Sequence, residues 1–518
     1  MTAAGASPPT GDANRTRRRP AIAPWEWLGF GAVILVAAAV RLVGLAGRGT
    51  WDADQGHDML VLRAFVVDGQ IPLVGPPTSI GTFHHGALYY DLLAPAAWLS
   101  GADPVVVVAE IALGGVLAVG LVWWLARAIA GPVAAIAAAG LIAISATAID
   151  ASTFIWNPNL IAASSALLFC AEWQAWRSRQ PRWWLLAAAA LAVTMQLHVL
   201  GSVLAVPTAA FFLVDLRRRP AGERGAVLRW GAGGLALIAA SYVPLLVYDL
   251  GHDFAETRGI VGFFLSPEGA HSGLDPVSRL IFGTLRILAW PLAGLITNAP
   301  LPGILAAVSA LAVLAWWPLR AHGEERVAAR WLVATLGFSI VVLALAVGGL
   351  SLVTPLPNDH YHAFLDPPVF VAAGVAAAAL WARGLPGRVL AGAGLAALVA
   401  WNVATWPPAT AVDGGWPAAE SAAARLQRDT PGLTLALVSL PSFKTAEAYA
   451  FPLVRDGDPP VGPSRAGAVV VLCDALFVHD CGGPAEAVAV ADLGVLRLVD
   501  RFAPAPGRTL SVYLRGEP

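Results

Sequence analysis

Charge is what this sequence has least of. Of 518 residues only 13% are Asp, Glu, Lys or Arg, while 57% are hydrophobic and the mean hydropathy is +0.66. Ordinary soluble domains carry about 25% charged residues, so a soluble enzyme is excluded. A net charge of −1 without a sustained basic patch excludes a nucleic-acid binder. Lysine is nearly missing: Lys444 is the only one, and with the arginine- and alanine-rich filling it reads as GC-rich codon usage rather than chemistry. Cysteines number three. Cys170 lies in an apolar run as a small hydrophobe. Cys473 and Cys481 would pair if their segment is exported and stay free if it is not, and no His/Cys spacing supports zinc. There is no phosphate-cradling glycine loop, dinucleotide fingerprint, HExxH or nucleophile elbow, which removes ATP, NAD and metalloprotease chemistry. The apolar runs are continuous rather than alternating, which excludes an outer-membrane barrel.

What is present is a series of runs near the length of about 20 apolar residues that a bilayer core demands. Residues 1–23 are polar, with Arg15, Arg17, Arg18 and Arg19 just before the first run, and read as a disordered cytoplasmic tail. Trp25 to Ala46 lacks a cleavage site and is the first span. Residues 47–85 form a large external loop in which MLVLRAFVVDG has the spacing of a surface-lying amphipathic helix. Further runs centre on 86–100, 104–126, 131–149, 159–176, 183–215, 228–250, 279–299, 301–320, 331–352, 363–382 and 388–406. The 183–215 run, interrupted by His198 and Gly201, is one broken span or two short ones; counting it as one crossing, and 279–299 as re-entrant or surface-lying, gives about eleven spans, within a range of ten to thirteen. That places Arg217 to Arg219, His322 to Arg330 and Arg383 to Arg388 inside, but leaves Arg177, Arg179 and Arg182 outside. Residues 407–518 change in composition, with β-like runs LTLALVSL, AVVVLC and VLRLVD. The expectation is an all-α polytopic plasma-membrane protein with a cytoplasmic N-terminus. A membrane domain (24–406) is followed by a small extracytoplasmic α/β domain (407–518).

Ionisable residues are costly in a membrane protein unless they line a site or reach water, so their clusters are informative. WDADQGHD carries Asp52, Asp54, His57 and Asp58 just outside the first span. It suits a general base or a cation site, or is a solvated loop with an Asp capping the next helix. GPPTSIGTFHHGALYYDLLAP sets His84 and His85 at the mouth of the next run, where they would grip a phosphate or sugar hydroxyl or simply sit at the interface with Tyr89 and Tyr90. YDLGHDFAETRG offers Arg258, a fork suited to phosphate unless Asp253 and Glu256 occupy it. NDHYHAFLDPP offers Asp359, His360, Tyr361, His362 and Asp366, or is a polar loop stopped by Pro367 and Pro368. FIWNPN at 154–159 is a polar break that reads as a helix end.

DQGHD at 54–58, GPPTSIG at 75–81, YYDLLAP at 89–95, FIWNPNL at 154–160, MQLH at 195–198 and the stretch ending at Arg258 occur in an order and spacing that resembles one family. It is the GT-C glycosyltransferases of the protein O-mannosyltransferase and aminoarabinose-transferase type, and the resemblance covers roughly residues 25–406. It implies a GT-C fold and inverting transfer of a sugar from a polyprenyl-phosphate carrier to an envelope acceptor outside the membrane: a protein, polysaccharide or lipid. It carries the catalytic carboxylate to Asp54, with Asp58 beside it, and the basic phosphate neighbour to His85. His84, Arg258, His360 and Tyr361 are the further candidates to bind the donor phosphate or sugar. A divalent metal ion, if one is used, would fall to Asp52 and Asp54. Two departures stand out: Gly86-Ala87 replaces a Pro-Pro, and Gln55 follows Asp54 where relatives have a second carboxylate. The competing readings are a secondary transporter or flippase of lipid-linked sugars, against which stand the absence of a repeat and the placement of the acidic cluster in a loop, and a non-catalytic envelope partner docking through residues 407–518.

Overall fold

The structure is a computed structural model and describes residues 22–78, 83–265, 274–345, 360–475, 477–478 and 480–516. Residues 1–21 of the expected tail at 1–23, part of GPPTSIG, and Asp359 lie outside the described residues. The chain is a helical bundle carrying a small sheet domain at one end. Its first elements are α1 (Pro24–Leu42), α2 (Ala53–Val66), α3 (Leu88–Ser100), α4 (Pro104–Ala130), α5 (Pro132–Ile144) and α6 (Ala146–Asp150). They are followed by α7 (Ile161–Ser178), α8 (Trp183–Leu197), α9 (Ala205–Arg218), α10 (Ala221–Ser241), α11 (Val243–Gly251) and α12 (Ala255–Leu265). The bundle is completed by α13 (Pro276–Ala293), α14 (Pro300–Arg320), α15 (Gly323–Leu345), α16 (Asp366–Trp381) and α17 (Gly384–Ala404). Among the described residues eight helices are long and apolar enough to cross a membrane, and two shorter apolar helices join them. The 86–100 run becomes α3, whose 13 residues at ~1.5 Å each fall short of a core about 30 Å thick.

Buried charges set how the first helices pack. Arg127 at the end of α4 donates to Glu26 at the start of α1 at 2.6 Å. Arg41, fully buried near the other end of α1, donates to the carbonyls of Ala143 and Ile142 at 2.8 and 2.9 Å. An arginine there is tolerable because helix-end carbonyls absorb its donors.

One expectation is corrected. The 183–215 run is not one crossing but a helical hairpin, α8 and α9, joined through the 3-10 segment Val199–Leu204. Trp184, at the start of α8, donates to Asp215 near the end of α9 at 3.0 Å and packs edge-on against Phe212. The two helices therefore run antiparallel, and their outer ends lie together. This also resolves the misplaced arginines: Arg218 and Arg219 donate to the carbonyls of Trp176 and Arg179. Arg177 pairs with Glu324 at 2.8 Å and Arg179 with Glu223 at 3.1 Å. The basic stretches around Arg177 to Arg182, Arg217 to Arg219 and Glu324 thus gather at one end of the bundle. His198 and the break at the hairpin's turn face the other end.

The C-terminal domain contains α18 (Gly415–Asp429), α19 (Glu447–Arg455) and α20 (Pro484–Ala491) with strands β1 (Leu435–Leu440), β2 (Ala468–Asp474), β3 (Leu496–Ala505) and β4 (Arg508–Arg515). The sheet order is β1-β2-β4-β3, with β1 and β2 parallel and the other pairs antiparallel. The run AVVVLC is apolar on both faces because β2 is central and buried along its length. Cys473 and Cys481 form a disulfide, while Cys170 is free and buried.

This domain is stitched to the loop after α1. Ala411 donates to the Gly47 carbonyl at 2.9 Å, Arg508 to that of Trp51 at 2.7 Å, and the Trp51 indole to that of Ala448 at 2.8 Å. Helix α2 then lies directly on α19: a Cβ added at Gly56 would stand 2.2 Å from the Glu447 carbonyl oxygen. Gly56→Ala is therefore expected to destabilise the docked domain by about 1–3 kcal/mol. Thermal unfolding and protease sensitivity after residue 406 would check it, and a wild-type melting curve would contradict the contact.

Candidate functional site

At the junction of the bundle with the C-terminal domain lies a cavity of about 730 Å³. Its walls come from stretches distant in sequence: the first turns of α2, Pro76 to Thr78 with His85, Trp156 to Pro158, His198 and Val199, His360 and Tyr361, and Phe443 to Glu447.

Helix α2 is capped by Asp52, whose N–H donates to the Gln55 side chain at 2.8 Å, one half of a capping box. Gln55 is buried and also donates its amide to the Ile155 carbonyl at 2.9 Å. A carboxylate could accept the first bond but not donate the second. The Asp-Gln departure is thus structural, because residue 55 points away from the cavity.

Asp54, one position earlier, lines the cavity. The residue is exposed to water through that opening, while the protein around it still desolvates the carboxylate in part. Among the described residues it accepts no hydrogen bond. Burial raises its pKa above the usual carboxylate range, with the Lys444 charge pulling the other way. His57, one turn on, shares its Nδ1 with Glu447 at 3.0 Å; that bond, more than any neighbouring charge, holds its pKa up.

Asp58 is closed off. Its two oxygens accept the hydroxyls of Tyr89 and Tyr90, each at 2.8 Å. Burial pushes its pKa up to about 7, against the pull of those hydrogen bonds. Because the folded protein holds this proton more tightly than the unfolded chain, the group's contribution to stability is full in acid and declines as pH rises from about 4 to about 7. Asp58→Asn, which cannot ionise, is expected to flatten that slope, read as the melting-temperature difference between variant and wild type across the range. An unchanged slope would contradict the assignment.

The two histidines part company. Gly75 N–H donates to the His85 carbonyl and His85 N–H to the Pro76 carbonyl, each at 2.9 Å, so the segment doubles back as a short antiparallel pair with its side chains alternating. His84 faces Glu256, which takes its ring Nδ1 and its backbone N–H at 2.7 Å each. His85 turns inward, is 7% exposed, and its Nδ1 has no hydrogen-bond partner among the described residues. Burial lowers its pKa to about 4, so it stands neutral. Its ring centre lies 5.1 Å from that of His198, which is 5.6 Å from both His360 and Tyr361. Gly86 is the reason this turn fits: a Cβ there would stand 2.2 Å from the Gln196 side-chain oxygen. The glycine that replaces proline lets the segment close onto α8.

The structure therefore brings Asp54, Asp58, His85, His360 and Tyr361 to one cavity and leaves His84 and Arg258 off its wall, Arg258 on an exposed face. Asp52 does not fit a metal site. Its carboxylate is held by Lys444 Nζ at 2.8 Å and by Arg508 at 3.1 Å, and these cations outweigh burial to keep its pKa low. Among the described residues no group of three or more His, Cys, Asp or Glu side chains is arranged to hold a metal ion. Sequence reasoning missed Lys444, Glu447, His198 and Trp156. For Lys444 there was one signal, that it is the only lysine, and it was read as composition.

Comparison with known proteins follows the same lines. None of the curated proteins matches the sequence. The profile of the dolichyl-phosphate-mannose-protein mannosyltransferase family matches residues 87–243. In fold, the chain is similar to ArnT from Cupriavidus metallidurans bound to undecaprenyl phosphate, with a TM-score of 0.59 at 14% identity over 95% of this chain and 98% of that one. The apo form of the same protein aligns at 0.48 and 16% identity, covering 94% and 97%. The oligosaccharyltransferase of Archaeoglobus fulgidus, in complex with zinc and sulfate, aligns at 0.48 and 14%, covering 86% and 67%. The chain has the GT-C membrane-glycosyltransferase fold and resembles the protein mannosyltransferases and ArnT within it.

Proposed function

We propose that the cavity transfers a sugar from a polyprenyl-phosphate carrier to a hydroxyl of an envelope acceptor by a single inverting displacement, with Asp54 as general base. The observation that carries this reading is Asp54 itself, the carboxylate of the cavity wall that no donor among the described residues occupies. As the acceptor oxygen bonds to the anomeric carbon, its proton passes to Asp54. The bond from that carbon to the phosphate oxygen breaks, and the lipid phosphate departs with the electron pair. A phosphate is a good leaving group, so what is needed on its side is hydrogen bonding and charge, not an acid. The inward-facing N–H of His85 and the rings of His360 and Tyr361 are placed for that. Asp58 is a positioning residue: it binds α3 to α2 through two tyrosines and so holds Asp54 in place.

The sidedness follows. The gathering of the basic stretches around Arg177 to Arg182 and Arg217 to Arg219 at the end away from the cavity supports a cytoplasmic placement of that end and of the N-terminus. The cavity end carries a disulfide, which suits an oxidising exterior.

The anomeric configuration of the product tests the reading. Nuclear magnetic resonance on product made from a donor of known configuration is expected to show inversion. Retention would require a covalent sugar-enzyme intermediate and overturn the role given to Asp54.

A further inference from the structure

We propose that Lys444, delivered by the C-terminal domain, binds the phosphate of the lipid-linked donor; this rests on the glycosyl-transfer reading above. The cavity wall decides it. Of the described residues that line it, Lys444 is the one lysine or arginine. His360 and Tyr361 share the wall as hydrogen-bonding rings, and the remaining candidates supply no free charge there. His85 is neutral, with its pKa lowered to about 4 by burial. His57 is engaged by Glu447 at 3.0 Å, His84 by Glu256 at 2.7 Å, and Arg258 does not line the cavity.

Lys444 is also built to be shared. Its ammonium carries three donors, and among the described residues one goes to Asp52 at 2.8 Å. Asp52 does not depend on it, because Arg508 meets the same carboxylate at 3.1 Å. A phosphate entering the cavity can therefore take Lys444 without leaving the half-buried Asp52 carboxylate unpaired. The side chain is presented by a compact turn, in which the Lys444 N–H donates to the Pro441 carbonyl at 3.0 Å. The next residues, Thr445 and Glu447, are joined at 2.6 Å, and the turn leads straight into α19 where it rests on Gly56. The ammonium also acts on Asp54, whose pKa it lowers. One cation then serves both ends of the reaction: it favours the ionised form of the base and meets the charge developing on the leaving phosphate. The C-terminal domain becomes part of the active site rather than an appendage.

The rival view is that the Lys444–Asp52 pair merely staples the domain to α2. Equilibrium binding of polyprenyl phosphate to the purified full-length protein in detergent micelles separates the two. The comparison is of wild type with Lys444→Met, Lys444→Arg and Asp52→Asn. Phosphate binding by Lys444 predicts that the Met variant binds about 10- to 100-fold more weakly, that the Arg variant stays close to wild type, and that Asp52→Asn binds at least as tightly as wild type, since it frees the ammonium. Unchanged affinity in Lys444→Met overturns the proposal. Equal weakening in Lys444→Met and Asp52→Asn overturns it in favour of the staple. If Lys444→Met does not fold, the Asp52→Asn result alone decides, because the two views predict opposite signs for it. Failure of the wild type to bind polyprenyl phosphate overturns the glycosyl-transfer reading, and this inference with it.

Discussion

Asp54→Asn is expected to lower sugar transfer by about 10²- to 10⁴-fold, the usual range for losing a positioned general base. The protein should remain folded and in the membrane. Asn has the same shape, and among the described residues the Asp54 carboxylate accepts no hydrogen bond, so the exchange breaks nothing that holds the structure. The wild-type pH profile carries a second mark. Because burial raises the pKa of Asp54 above the usual carboxylate range, kcat/KM should fall as pH drops through that raised value, and the falling limb should vanish in the variant. Near-normal turnover by Asp54→Asn, or an acid limb that persists in it, would remove Asp54 from the chemistry.

Trp51→Ala is expected to be the most damaging change away from the cavity wall. Trp51 opens the acidic motif and is only 3% exposed. Its ring lies 4.6 Å from that of Trp416 and 5.9 Å from that of Phe451, both in the C-terminal domain. Its indole also donates to the Ala448 carbonyl at 2.8 Å. Removing a buried tryptophan costs about 3–5 kcal/mol, and here the loss falls on the joint that brings Lys444 and Glu447 to Asp54. Transfer should drop by about two orders of magnitude or more, since 1.4 kcal/mol is about tenfold. Limited proteolysis should release residues beyond 406 faster than from the wild type. Normal proteolytic resistance with normal transfer would show that the joint does not depend on this residue.

The parts of this molecule that were legible in the sequence are those that local chemistry determines. Apolar run lengths identified a polytopic bundle, and short β-like runs after residue 407 pointed to the sheet. The motif WDADQGHD located Asp54 because carboxylates are rare enough here to stand out. The hairpin at 183–218 was not legible from length, since two short antiparallel helices and one long broken one have the same composition. Its signal lay in the flanks: arginines at both ends of the run and a histidine and glycine at its middle. Gly56, Gln55 and Gly86 looked like neutral or weakening residues, and each is explained only by a neighbour far away in the chain: Glu447, Ile155 and Gln196. His84 and His85 are adjacent and chemically identical, so only the pairing of 77 with 84 tells which one turns inward. Lys444 lies 392 residues from its partner Asp52, and no local pattern could connect the two.

Donor cleavage in sealed vesicles tests the central claim most directly. Purified wild type and Asp54→Asn are reconstituted with polyprenyl-phosphate sugars, and two quantities are followed: release of free polyprenyl phosphate and movement of intact lipid-linked sugar between leaflets. A glycosyltransferase working through Asp54 predicts that, with an acceptor extract supplied, the wild type releases free lipid phosphate and the variant does not, while neither moves intact donor across the bilayer. Transbilayer movement of uncleaved donor, undiminished by Asp54→Asn, would contradict the account and make the protein a carrier of lipid-linked sugars.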